Sequence, residues 1–443
     1  MPSHSMETGK PPVPQAFRGR ILHAVGREEC VYLPDGGLLV NQKGLIEACA
    51  DWPAIEARHV LKGFEITHLP EHCLIIPGFV DLHVHLPQLD AVGCQAESLL
   101  SWLETYIYPA EMHLADSGYA RDISHRFFTG LLANGTTTAA VFLTSHPEAV
   151  QIAFETAEAL GNRVIMGQNL MDRNGPEALI RPPRQILSET EQLCRQWHRA
   201  DSGRLQYAWM PRFAISCSDE LLAGIGWLRR QAPDVYLHTH LSEQSGEILE
   251  VSRLFSWAAD YTSVYERFHL LGEKTILAHG IHLSDSELTR IQSAECALAH
   301  CPGSNFFLKS GRFRLTEALR RGILYGLGSD VGAGPEMNLF QVMKDAQYMQ
   351  LDTLIPLEAL FYAATLGGAK ALFMDDRIGN FEPGKEADFL ILNAQGSPNF
   401  SFPAHPDVDS MLSRLVYLGD DRLVANTFIR GRQVHGLSSC LTR

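Results

Sequence analysis

Pro77-Gly78-Phe79-Val80-Asp81-Leu82-His83-Val84-His85 is an apolar run ending in two histidines one residue apart. In a strand, residues i and i+2 point to the same face, so His83 and His85 send both imidazoles to one spot. Such a pair binds Zn²⁺ or Fe²⁺ readily. Taken alone, the motif serves a hydrogen-bonded histidine pair equally well.

The same texture recurs on the C-terminal side of this run. Short apolar segments alternate with polar or Gly/Pro breaks and with longer stretches of helical periodicity. Strands are predicted over 74–85, 136–143, 163–170, 206–213, 235–241, 275–280, 297–302 and 324–330. Between them, 149–160, 219–230 and 284–293 have the apolar spacing of amphipathic helices lying on a parallel sheet. Eight strands separated by helices predict an α/β fold, a (β/α)8 TIM barrel. In such a barrel the C-terminal strand ends converge on one face, where active sites are built. His240 ends the fifth strand, His279 the sixth and Asp330 the eighth. Each has an ordinary structural use when taken singly; together with His83 and His85 they make a metal centre. Glu243 follows His240 by three residues, as a carboxylate beside a metal site or as the first turn of a helix.

The flanks differ. Residues 18–25, 37–41 and 44–48, and again 384–392 and 423–434, read as short strands punctuated by turns. Each flank is too small for a secure core, so pairing into one discontinuous β-sandwich is expected. The 443 residues suggest about three domains at ~150 residues each, and the pattern reduces this to two. They are a barrel over 77–376 and a sandwich from 16–76 plus 377–443, preceded by a polar, flexible leader over 1–15.

Composition narrows the function. Hydrophobic residues are 45% and charged residues 20%, as in an ordinary globular protein, and the formal charge is −14. That sign disfavours nucleic acid and anionic membrane surfaces as partners and suits a small neutral or cationic ligand. The nine cysteines are dispersed without a C-x-x-C, and a reduced cytoplasmic protein is expected.

The residues quoted so far resemble the amidohydrolase superfamily and, more narrowly, its guanine deaminases. The narrower likeness rests on Pro87-Gln88, 100–104, 108–111, 134–138, Pro211-Arg212-Phe213, 238–243, 300–305, 328–334, 365–369, 378–386 and 418–422, spread over residues 18 to 434. Members with two metals carry a lysine at the end of strand four. Here that strand ends Trp209-Met210-Pro211-Arg212, so one metal per chain is expected.

The resemblance implies Zn²⁺, with Fe²⁺ as the alternative ion, held by His83, His85, His240 and Asp330. It implies a catalytic group of Glu243, Asp330 and His279 that converts guanine to xanthine and ammonia. Gln88 and Arg212 would bind the purine, Phe213 and Trp102 would pack against the ring or serve equally as core or lid packing, and the chain would form a homodimer. A deaminase of a pterin, 8-oxoguanine, an s-triazine or cytosine is the neighbouring alternative. A non-catalytic scaffold would be expected to have lost ligands that this chain keeps.

Overall fold

The computed structural model describes residues 13–436. Its larger sheet contains eight barrel strands: β1 (Phe79–His85), β2 (Thr136–Phe142), β3 (Arg163–Gly167), β4 (Leu205–Pro211), β5 (Tyr236–Leu241), β6 (Thr275–His279), β7 (Ala297–His300) and β8 (Leu324–Leu327). Each pairs in parallel with the next. A short strand, Asn169–Leu170, prolongs β3 beside β4.

The seam between β8 and β1 closes just beyond the strand ends. Asp330 N–H donates to His83 O at 2.8 Å, and His85 N–H donates to Val331 O at 2.8 Å. The Asp81 carboxylate fastens the same seam, accepting from Ser329 N–H at 3.1 Å and from the Ser329 hydroxyl at 2.5 Å. Closure of the barrel and placement of the predicted ligands are therefore one event.

The expected helices form as Pro147–Leu160, Asp219–Gln231 and Asp285–Ser293. Their ends are written in the sequence: Gly161 at φ 88° stops the first, while Ser218 and Ser284 cap the other two by accepting backbone N–H groups. Val150, Ala153, Phe154 and Ala157 make the buried stripe of the first.

Strand 74–85, expected as one element, is split at Gly78. Cys73–Pro77 belongs to the second sheet and Phe79–His85 to the barrel. A Cβ at Gly78 would lie 2.1 Å from Thr137 Oγ1 and 2.7 Å from Thr137 Cβ, so only glycine lets the chain cross from one sheet to the other here.

Both ends of the chain meet in that second sheet. Its path runs Arg432–Gly436, Val424–Ile429, Phe389–Asn393, Cys73–Pro77, Gln15–Gly26, Glu29–Val40 and Ile46–Asp51, with Glu65–His68 also paired to Gln15–Gly26. Phe17 lies three strands from Phe428 along this path, about 14 Å in a flat sheet. Their ring centroids are only 5.4 Å apart, and Phe17 also meets Phe389 at 5.1 Å. The sheet therefore curls on itself, and sandwich-like packing arises from one continuous mixed sheet. The leader expected over 1–15 falls outside the described residues up to residue 12, and Gln15 already opens a strand.

Candidate metal centre and active site

His83 and His85 end β1, His240 lies in β5, and His279 ends β6. Asp330 follows β8. His279 and Asp330 take φ of 69° and 51°, a left-handed conformation that turns the backbone away from the strand direction. All five side chains are buried or nearly so.

The donor atoms converge. His83 Nε2 is 3.1 Å from His85 Nε2, and His240 Nε2 is 3.3 Å from His85 Nε2. Asp330 Oδ1 lies 3.2 Å from both His83 Nε2 and His85 Nε2. A tetrahedron with bonds of ~2.1 Å has edges of about 3.4 Å, the spacing of donors around one small divalent ion. Burial pushes the His85 imidazole down to about 3 and lowers those of His83 and His240, so the rings are neutral. Burial pushes Asp330 up, but the imidazoles of His83, His85 and His279 outweigh it and hold the carboxyl well below its ordinary range.

Outer partners fix which nitrogen faces inward. His240 Nδ1 is 2.6 Å from Arg212 O; a carbonyl only accepts, so Nδ1 carries the proton and Nε2 presents a lone pair. His83 Nδ1 meets His238 Nε2 at 2.8 Å. With His83, His85 and His240 turning Nε2 inward beside Asp330 Oδ1, lone pairs 3.1–3.3 Å apart would repel unless a cation sat among them, so the donor set fits a divalent metal.

Glu243 stands just before the helix Ser245–Leu254, whose N-cap is Gln244. The loop holding it is fixed by Glu247, whose Oε2 accepts from Glu243 N–H at 2.8 Å. Burial, and then the charge of Asp330, push the Glu243 carboxyl up to about 8, with the Ser310 hydroxyl opposing. His279 Nε2 lies 3.4 Å from Glu243 Oε2 and 3.7 Å from Asp330 Oδ2, and His279 Nδ1 lies 3.3 Å from Asn305 Oδ1. A neutral acid, an imidazole and an ionised carboxylate thus line one wall.

These groups open into a cavity that Gln88, Arg212, Phe213 and Trp102 also line, its wall mixing apolar side chains with a few convergent polar groups, as small-molecule sites do. Gln88 Oε1 accepts from Gly332 N–H at 3.3 Å, which leaves its amide nitrogen as the group to offer. Trp102 Nε1 donates to Cys94 O at 2.8 Å, so its indole is anchored as part of the wall. Every predicted site residue is brought to this one face.

Sequence reasoning missed several neighbours. His238 is two residues before His240, so strand alternation already placed it on the same face. Asp81 has the same relation to His83. Leu99, Leu103, Leu308 and Ala333 complete the pocket wall; Leu103 and Ala333 lie in stretches that carry the family likeness, but nothing local marks the four as pocket lining. Glu111 likewise falls in the 108–111 stretch of that likeness, and nothing there announces its pairing with Arg212 across 101 sequence positions.

The chain belongs to the amidohydrolase family, whose model matches residues 74–434. Within that family it is similar to guanine deaminases along nearly its whole length. It is 39% identical to guanine deaminase of Escherichia coli (strain K12), over 91% of this chain and 92% of that protein. The solved E. coli guanine deaminase superimposes with a TM-score of 0.91, covering 95% of this chain and 99% of the other at 36% identity. The guanine deaminase from C. acetobutylicum, solved with guanine in its active site, gives 0.88 at 30% identity, covering 95% and 100%.

Proposed function

We propose that this chain hydrolyses guanine to xanthine and ammonia, as an enzyme of purine catabolism. The observation that carries the reading is the full-length likeness to guanine deaminases together with a site whose metal donors, acid and pocket residues all meet. Zn²⁺ is the ion we assign, one per chain, with Fe²⁺ acceptable to the same ligands. A divalent ion held by His83, His85, His240 and Asp330 supplies a Lewis acid that lowers the pKa of water.

The chain's own residues do the rest. Arg212 and the Gln88 amide nitrogen donate to the carbonyl edge of guanine; adenine presents an amine donor on that edge and would meet donor with donor. Phe213 and Trp102 bound the ring. Asp330 accepts a proton from the attacking water, and His279 orients that water. Glu243, protonated at neutral pH, delivers its proton to ring N3, which makes C2 electrophilic. Oxygen adds at C2; Glu243, left ionised, takes the proton of the new C2 hydroxyl and passes it to the amine as the C2–N bond breaks, N3 keeps its proton, and the proton held by Asp330 restores the Glu243 acid.

We also read the chain as two domains, 16–76 plus 377–443 around a barrel over 77–376, and as a homodimer. We place it in the cytoplasm, a reading that suits nine dispersed cysteines with no C-x-x-C. Among the described residues no helix is long and apolar enough to cross a membrane.

The test is substrate profiling of zinc-loaded protein, following guanine loss by ultraviolet absorbance alongside ammonia release. Guanine left untouched while a pterin, 8-oxoguanine, an s-triazine or cytosine turns over would overturn the assignment. Sub-stoichiometric metal after careful purification would favour the scaffold.

A further inference from the structure

The pocket is roofed by one continuous segment: the short helix Leu99–Trp102, the π-helical turn Leu103–Ile107 and the helix Tyr108–Met112. Leu99, Trp102 and Leu103 face the cavity. The same segment reaches Arg212, which stands just past β4 on the barrel. Glu111 places both carboxylate oxygens 2.7 Å from Arg212 Nη1. Its side chain is 1% exposed and that of Arg212 is 4% exposed. One helical turn before Glu111, the Tyr108 ring lies 5.2 Å from Arg212 Cζ.

A guanidinium has donors on Nε, Nη1 and Nη2 in a fixed plane. Glu111 engages Nη1 alone, and the guanidinium carbon sits over the Tyr108 ring, so both of these contacts on Arg212 come from the roof. The pocket also holds two other carboxylates, those of Glu243 and Asp330. A buried arginine without Glu111 would turn towards them, and its remaining donors would no longer point at a ligand.

We propose that Glu111 is a positioning residue for substrate recognition, holding Arg212 by Nη1 so that its other donors face the bound purine. Because Glu111 is part of the roof, the segment that bounds the pocket also holds the arginine. The inference rests on the reading that Arg212 binds the carbonyl edge of the substrate.

A double-mutant cycle tests it, with kcat and KM for guanine measured on the zinc-loaded wild type, Glu111→Gln, Arg212→Met and the double variant. Glu111→Gln is expected to raise KM about 10- to 100-fold, the worth of a hydrogen bond to a charged group, with kcat within about threefold. In the Arg212→Met background the same change should move KM less than about twofold. A structural role would lower the active fraction, and so kcat, and would persist without Arg212.

Unchanged KM in Glu111→Gln, or effects that multiply in the double variant, overturns the inference while leaving Arg212 in place. Unchanged KM in Arg212→Met instead overturns the Arg212 assignment itself. Melting temperatures check folding; if Glu111→Gln does not fold, Glu111→Asp takes its corner of the cycle under the same criteria.

Discussion

At the scale of single residues, Glu243 and Asp330 are two carboxylates in one cavity, driven apart in acidity by their neighbours. The imidazoles around Asp330 hold its carboxyl well below the ordinary range, while burial and then the charge of Asp330 push Glu243 up to about 8 against the opposing Ser310 hydroxyl. Glu243→Gln is expected to lower kcat by about 10²- to 10⁴-fold, the usual worth of a general acid, while metal content by elemental analysis stays at wild-type level. The same geometry gives a pH dependence. A group that must donate a proton is lost when it ionises, so kcat/KM for guanine should fall as pH rises through about 8. A profile flat to pH 10 would remove Glu243 from the acid role.

At the scale of elements, the strands act through their ends, and their interiors decide where those ends lie. Gly78 is the crossing point between the two sheets, and Thr137 Cβ stands where its side chain would be. Rotating Thr137 cannot clear Gly78→Ala, because the clash involves Cβ itself, so β1 must shift against β2. The expected cost is about 1–3 kcal/mol in urea unfolding. Because β1 carries His83 and His85, weaker zinc retention against a chelator should accompany it. Loss of stability with unaltered zinc retention would show that β1 places its ligands independently of this contact.

At the scale of the whole molecule, the barrel and the curled sheet are joined by a buried charge cluster. Arg163, which opens β3, meets Glu386 at 2.6 Å and Asp388 at 2.8 Å, and Arg430 meets Glu386 at 2.7 Å. Arg163→Ala leaves both carboxylates short of a partner inside the protein and is expected to cost about 3–5 kcal/mol in urea unfolding. Burial pushes Glu386 up, but Arg163, Arg430 and Arg377 outweigh it and lower the carboxyl from 4.5 to about 2. Its contribution is therefore full above pH 4.5 and disappears as pH falls towards 2. Arg163→Ala should raise the midpoint of acid unfolding followed by circular dichroism.

Strand and helix order, the paired histidines and the ligand-type residues at the strand ends were legible in the chain itself. Alternation, periodicity and capping are local rules, and the barrel turns strand ends into neighbours by a fixed topology. The sequence also carried Glu243, Gln88 and Arg212 through family resemblance, and the resolved loop shows Glu243 outside the helix it could have begun. The pairing of Glu111 with Arg212, the crossing at Gly78 and the Arg163 cluster were decided only by tertiary structure. Each depends on side chains tens to hundreds of residues apart meeting at a given distance, and no periodicity encodes a distance. The sequence determined which ligand-type and acid–base side chains reach the strand ends; packing determined their protonation and their aim, because both depend on what surrounds a side chain in space.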